Sequence, residues 1–461
     1  MTHFKLVLSG LTVLLIPGCS FHHINFNANP DVAVQEGFVS LEEQAVSNAI
    51  TEEKWWVSFD RPQLDMLIEQ SFDTNQDVAA AISRINQARA LRQQTRSDLF
   101  PKINGEGNVA DSREDNDGQP STSQAGAALA WEIDVFNRIG SAAKADAYEA
   151  IARKEDLEAL YLSLSAEIAN AYFGAVAAHN RLQLLNQQLK TDQELLELIE
   201  LRQDSGVGTS VEVLQQQSQV AESLSLVPPA EADLRVFENR LDVLLGIQPD
   251  AEHRVKPDDT LRFAHDLPAI GVPADLLFNR PDLRAAKAEL IAADAEIASA
   301  IAERLPQITL TGSYLYSDTA TFSGPVATIM GAFVQPILDW GERKAAVEEN
   351  KELYKERLAL YTQLYLEAVE EVENVLYQER KQREYIERLE ERRKILSDTV
   401  EETEALYTQG VNDYLPVLNA LQDLRVIERD ILTERLNLIN LRITLHRAIG
   451  GATHHSDQKE S

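Results

Sequence analysis

Cysteine is almost missing from this 461-residue chain: Cys19 is the only one, so no disulfide can form within it and a disulfide-stapled scaffold is excluded. Past the N-terminus there is no run of eighteen or more apolar residues. That excludes a helix spanning a bilayer, but not a β-barrel, whose strands are short and weakly marked. Basic charge is scarce as well: 43 Lys and Arg stand against 74 Asp and Glu, for a net charge of −31. Such a chain lacks the basic surface that phosphates demand, so no nucleic-acid partner is expected. The acidity reads either as a solvated, self-repelling surface or as an interior that favours cations.

Catalytic patterns are absent too. The sequence has no Gly-rich phosphate loop with Lys, no His-Glu-x-x-His and no Gly-x-Ser-x-Gly elbow. The pairs His22-His23 and His454-His455 fall in expected tails and read as solvated residues rather than metal ligands. No catalytic residue, metal or cofactor is therefore expected. Glycine and proline are both missing from 342–409, 68 consecutive residues, and 141–205 has only Gly174.

The N-terminus supplies the first positive signal. Lys5, an apolar run from Leu6 to Ile16 and then Pro17-Gly18-Cys19-Ser20 read as a secretory leader over 1–18. The end of that leader resembles a bacterial lipobox, with Pro17 where a small residue is usual. The resemblance makes Cys19 the acylated first residue of the mature chain, with Ser20 resembling outer-membrane sorting. Acyl chains hold a protein to lipid by about 0.8 kcal/mol per buried CH₂.

The second signal is a duplication. Asp77-Val78 matches Asp282-Leu283 and Pro101-Lys102-Ile103 matches Pro306-Gln307-Ile308, both at an offset of 205. Phe136 matches Trp340, Gly206-Val207 matches Gly410-Val411 and Gly246 matches Gly450, all at 204. One residue is thus lost between about 104 and 135. The organisation read from this is a leader over 1–18, an acylated N-terminal segment over 19–60, a first repeat over 61–250, a linker over 251–273, a second repeat over 274–452 and a polar tail over 453–461.

Each repeat reads alike. A helix (about 64–99, then 281–304) precedes two strands, a very long helix, a Gly-containing turn and another long helix. Leu, Ala, Glu, Gln, Lys and Arg dominate the long helices. At 1.5 Å per residue they reach roughly 100 Å, far beyond a ~30 Å hydrocarbon core, so they need lateral partners along their length. Pro228-Pro229 is expected to interrupt the second long helix of the first repeat. The strands alternate. Ile103, Gly105, Gly107 and Val109 share one face, as do Ala125, Ala127, Leu129, Trp131 and Ile133. Ile308, Leu310, Gly312, Tyr314 and Tyr316, and then Ala327, Ile329, Gly331 and Phe333, form the matching faces. This suits a lipid-facing barrel strand or a half-buried soluble one, and Trp131, Tyr314 and Tyr316 suit either an interfacial belt or a core. Four strands cannot close a barrel, and lipid does not tolerate an open edge. Membrane insertion would therefore require several copies.

At this point the residues resemble the TolC-type outer-membrane efflux channels, in the lipoprotein branch paired with resistance-nodulation-division pumps. The carriers are Asn279-Arg280-Pro281-Asp282-Leu283-Arg284, Leu305-Pro306-Gln307-Ile308, Trp131 to Arg138, Tyr407 to Leu415, and Leu418-Asn419-Ala420. The resemblance runs from about residue 50 to 451. It implies a mainly α fold with a membrane β-barrel: duplicated long-helix hairpins with two strands per repeat, assembled as a homotrimeric tube. It implies a passive exit duct in the outer membrane that meets outer-membrane lipid, a periplasmic adaptor (membrane fusion) protein and an inner-membrane efflux pump. The docking turns would be Gly206, Val207, Gly208, Gly410 and Val411, with Gly206, Gly208 and Gly410 suited to positive φ. By the family's motif the constriction would fall at Leu415, Asn419 and Gln422. Relatives carry Asp and Arg where this chain has Asn419 and Gln422, so a salt-bridged ring is replaced by an apolar collar with an amide ring. A periplasmic lipid-anchored coiled-coil adaptor or scaffold is the alternative; it predicts one hairpin flanked by β-domains, not a duplicated unit. An enzyme with a helical accessory domain ranks third.

Overall fold

The computed structural model describes residues 21–40, 54–111, 121–256, 260–262, 267–319 and 322–452. The leader over 1–18, Cys19 and His454-His455 lie outside them. Among the described residues twelve helices and strands organise the two repeats, six in each: α1 (Pro62–Thr74), α2 (Gln76–Ser97), β1 (Lys102–Asp111), β2 (Ser121–Ile133), α3 (Arg138–Asp204) and α4 (Ser210–Leu244) come first. They are followed by α5 (Leu276–Asn279), α6 (Pro281–Ala302), β3 (Gln307–Asp318), β4 (Ser323–Val334), α7 (Glu342–Thr408) and α8 (Tyr414–Ala448). Among the described residues no helix is long and apolar enough to cross a membrane. The chain divides into two compact units, one of residues 1–31, 84–154 and 285–362, the other of 32–83, 155–284 and 363–461.

The first unit holds the sheet, ordered β1-β2-β3-β4 and antiparallel throughout. Its registers carry the duplication. Ile103 faces Leu129 in the first hairpin, and Ile308 faces Phe333 in the second, the pair reached by adding 205 and 204. Residues 22 to 25 pack against α6 here. His22 Nε2 lies 2.6 Å from Asp294 Oδ1, and the Asn25 N–H donates to Asp294 Oδ2 at 2.6 Å. The solvated reading of His22 is thereby corrected. Asp294 is buried, and a buried carboxylate demands donors, which this segment provides.

The second unit has the main core. Trp55, Trp56, Phe59, Phe72, Tyr172 and Phe173 pack with Leu241, Ile439 and Ile443, and the Trp55 Nε1–H donates to Ser165 Oγ at 3.0 Å. His446 stacks on Trp55; burial, then the nearby Arg442, pushes its pKa down to about 3, so it stays neutral.

Two sequence expectations change. The single helix over 64–99 is two helices, broken at Asn75. That residue is extended (φ −69°, ψ 133°), its Oδ1 accepts from the Asp77 N–H at 2.8 Å, and its Nδ2 donates to Leu244 O at 2.9 Å. Its repeat counterpart Arg280 is also extended and donates from Nη1 to Ala448 O at 3.1 Å. Each repeat therefore ties its first helix break to the carbonyl end of its last helix, leaving fewer of those carbonyls unpaired. Nor does Pro228-Pro229 end α4: the helix runs through both prolines. The carbonyls that lose donors belong to Leu224 and Ser225, both exposed, so solvent can reach them and the loss is small.

Candidate functional site

Two places carry chemistry that a helix bundle alone does not need. The first is the sheet. Residues directly opposite in an antiparallel ladder share a face. The registers put Ile103 beside Leu129, Ala127 beside Tyr314, Trp131 beside Leu310, and Gly312 beside Ile329. The four apolar faces expected separately thus fuse into one. No described residue covers that face: Ile329 is 85% exposed and Phe333 67%. The Trp131 Nε1–H donates to Leu99 O at 2.9 Å, whereas Tyr314 and Tyr316 are exposed. Asn104, Glu106, Thr311, Ser313 and Thr328 line the other face. An uncovered apolar patch of this extent marks contact with lipid or another protein.

The second place is the pair of helix turns in the other unit. α3 and α7 both end in the same motif. Gly206 (φ 77°) and Gly410 (φ 71°) take the left-handed conformation. The N–H groups of Val207 and Val411 donate back to Arg202 O and Leu406 O at 3.0 and 2.9 Å. Gly208 is different: its φ is not positive. A Cβ there would stand 2.9 Å from the Gln203 nitrogen, so glycine is required for space rather than for backbone angle. Beyond the first turn, Thr209 and Glu212 form a capping box on α4. Glu212 Oε2 also accepts from the Tyr407 hydroxyl at 3.3 Å, tying the start of α4 to the end of α7. Burial, and then Glu212, push the Tyr407 hydroxyl above its ordinary pKa. Val207 and Val411 project at the turns, 68% and 66% exposed.

On α8, Leu415, Asn419 and Gln422 stand four and three residues apart, hence on one face. Leu415 and Asn419 are exposed. Gln422 is half-buried, and its Nε2 donates to Gln219 Oε1 on α4 at 2.7 Å, so that amide is already engaged within the chain. Beneath this stripe lies a polar cluster that the sequence did not single out. Asp192 on α3 is fully buried. Its Oδ1 stands 2.6 Å from Arg425 Nη1, its Oδ2 accepts from Ser223 at 2.6 Å, and its carbonyl accepts from Gln216 Nε2 at 2.7 Å. The Tyr414 hydroxyl donates in turn to Gln216 Oε1. Burial and then Asp192 raise the Tyr414 pKa; burial also raises that of Glu404, and Arg425 opposes it. Around this cluster pack Ile199, Val213, Val400, Val417 and Leu421. No sequence signal marks Asp192, because an acid among helix-surface acids looks like every other. Among the described residues no group of three or more His, Cys, Asp or Glu is placed to hold a metal.

With this geometry in hand, comparison with known proteins is specific. The family model described as Outer membrane efflux protein matches twice, over residues 67–247 and 272–451. The two matches are shifted by 205 residues at their starts and by 204 at their ends, like the duplication. The pyoverdine export outer membrane protein OpmQ of Pseudomonas putida is 29% identical over 427 residues, spanning 88% of this chain and 89% of that one. The probable outer membrane lipoprotein SilC of Salmonella typhimurium is 24% identical over 463 residues, spanning 97% and 99%. Among solved structures, the outer-membrane channel OprN superposes with a TM-score of 0.81 at 25% identity, covering 92% of this chain and 99% of that chain.

Proposed function

Given that the chain belongs to the outer membrane efflux protein family, we propose that three copies form one duct, passing small molecules handed on by a periplasmic adaptor and an inner-membrane pump out through the outer membrane. Membership sets aside the adaptor-or-scaffold alternative and makes the protein an outer-membrane component of an efflux system. The observation that carries the proposal is the single apolar sheet face flanked by two strand edges that pair with nothing among the described residues. Lipid satisfies the face, and only closure satisfies the edges. Three four-stranded sheets give a twelve-stranded barrel.

Within this reading the residues take the following roles. Gly206, Val207, Gly208, Gly410 and Val411 present the turns to the adaptor, with the two valines as exposed apolar contacts. Leu415 forms a collar and Asn419 an amide ring at the constriction, supported by their exposure on one face of α8. Asn419 itself brings no charge to this constriction. Cys19 carries the lipid; a relative named as a probable outer membrane lipoprotein, over 97% of this chain, supports this. Transport is passive, and the partner pump supplies the energy.

The test is current through a planar bilayer. The purified protein is expected to give discrete, trimer-dependent steps; its failure to conduct in any state would sink the duct. Asn419→Asp introduces one carboxylate per copy and is expected to shift the current several-fold toward cations, because a constriction concentrates a charge's influence on permeant ions. Unchanged conductance and selectivity would remove Asn419 from the pore. Separately, Cys19→Ala is expected to abolish incorporation of radiolabelled palmitate. Labelling that survives the substitution would place the acyl chain elsewhere.

A further inference from the structure

The outer edges of the sheet, on β1 and β4, pair with no other strand among the described residues, and so present a row of backbone N–H and C=O groups. Lipid offers such groups nothing. The duplication indicates what fits them. The two hairpins have identical registers once 205 is added to β1 and 204 to β2. One further seam exists, β2 against β3, where Ile133 faces Ile308, Leu129 faces Gly312 and Ala127 faces Tyr314. This seam joins the second strand of one repeat to the first strand of the next.

We propose that β4 and β1 of a second copy of this chain make that same seam in that same register. Phe333 then lies opposite Gly107 of the partner subunit, Gly331 opposite Val109 of the partner subunit, and Ile337 opposite Ile103 of the partner subunit. The inference rests on the trimeric-duct reading and adds which residues meet at the junction between copies.

Three observations support this register over its neighbours. A slip of one residue would carry the apolar face of one copy onto the polar face of the next; the proposed pairing keeps Ile103, Gly107, Val109, Gly331, Phe333 and Ile337 on one side. A slip of two keeps the face but spoils the match of size: one way sets Phe333 against Val109 of the partner subunit, and the other sets Gly331 against Gly107 of the partner subunit, glycine on glycine. Leu129 sits across from Gly312 inside the chain, and Phe333 across from Gly107 of the partner subunit repeats this large-over-glycine pairing, in which a bulky side chain covers backbone that glycine leaves bare. Finally, Ile337, just past β4, is 94% exposed, although its repeat counterpart Ile133 is a paired strand residue. Extension of β4 along a partner strand would bring it into the sheet.

Paired cysteines test the register in full-length, outer-membrane protein. Cys19 is the only native cysteine, so the parent gives the background. Gly107→Cys is sterically open, since a Cβ there meets only the Gln124 carbonyl oxygen, at 4.0 Å. β1 and β4 are three strand spacings apart, ~14 Å, too far for a disulfide within one chain. Oxidation of Gly107→Cys/Phe333→Cys is expected to give covalent dimers and trimers on non-reducing gels. The yield should exceed by about fivefold that of Gly105→Cys/Phe333→Cys or Val109→Cys/Phe333→Cys, whose diagonal spacing of ~7–8 Å is beyond easy reach. Ile103→Cys/Ile337→Cys is an independent pair should the first fail to reach the membrane. If an off-by-two pair cross-links best, the register is wrong and the duct stands. If no pair cross-links while the channel still conducts, the seam itself is wrong. If no pair cross-links and the unsubstituted protein does not conduct either, the trimeric reading falls as well.

Discussion

Asp192→Leu is expected to destabilise the junction of α3, α4 and α8 by about 5 kcal/mol, and Arg425→Met by about 3 kcal/mol, the two ends of the range for breaking a buried ion pair. The asymmetry follows from what each substitution leaves behind. Without Arg425, Asp192 Oδ2 still accepts from Ser223 at 2.6 Å, so the buried carboxylate keeps a donor. Without Asp192, the buried Arg425 guanidinium loses its ion-pair partner, and its Nη1 and Nη2 make no hydrogen bond among the described residues; a buried charge so stripped is the costlier remnant. The double substitution Asp192→Leu/Arg425→Met removes both charges and should recover most of the loss, since apolar replacement of a whole buried pair is often neutral. The temperature at which the assembled protein loses its folded gel mobility measures all three. Additive losses in the double variant would show that the two groups do not act on each other. Because Arg425 lies one turn past Gln422, this cluster also puts charge near the stripe of Leu415 and Asn419 proposed as the constriction, while burying it away from the stripe's exposed face.

Gly246→Ala and Gly450→Ala are the other large effects expected, and Gly206→Ala and Gly410→Ala serve as their controls. All four glycines have φ between 71° and 77°. An alanine in this left-handed region costs about 1–2 kcal/mol from backbone strain alone. At Gly206 and Gly410 nothing lies within 4 Å of an added Cβ, so the loss should stop there. At Gly246 the Cβ would fall 2.3 Å from the Thr74 carbonyl oxygen, and at Gly450 2.6 Å from that of Asn279. Both contacts are with backbone at the helix breaks that Asn75 and Arg280 hold, so relief requires moving a helix end. The total loss at each is expected to reach about 3 kcal/mol, the upper end of the range for strain at special backbone positions. Chemical unfolding would rank the four variants, and equal losses at all of them would sink the close-approach explanation.

Much of the architecture was readable in advance, for reasons that are local. The long helices followed from uninterrupted helix-forming residues, and their observed limits, Arg138–Asp204 and Glu342–Thr408, fall within three residues of those expected. The strands followed from alternation, and the duplication from a few dipeptides at constant offset. The failures have local origins too. Asn75 breaks a helix that its neighbours favour, because its side chain bonds Leu244 O far along the chain. Pro228-Pro229 fails to break one because the carbonyls it orphans are at the surface. Gly208 was expected for its φ and is needed for its missing Cβ.

The turns at Gly206 and Gly410 and the stripe of Leu415, Asn419 and Gln422 were nameable from motif order. The engagement of Gln422 with Gln219 was not, since it depends on how α4 lies against α8. The same holds for His22, whose partner Asp294 is 272 residues away.

What the sequence determined alone is the repeat, the type and order of its elements, and the apolar side of each strand, because each is fixed by neighbours within a few residues. Tertiary structure decided the rest: that four apolar strand faces make one uncovered face, that Asp192 and Arg425 meet in the interior, and that two glycines are pressed against distant carbonyls. These rest on register and helix packing, where residues hundreds of positions apart come within a few ångströms and local pattern carries no record of the partner.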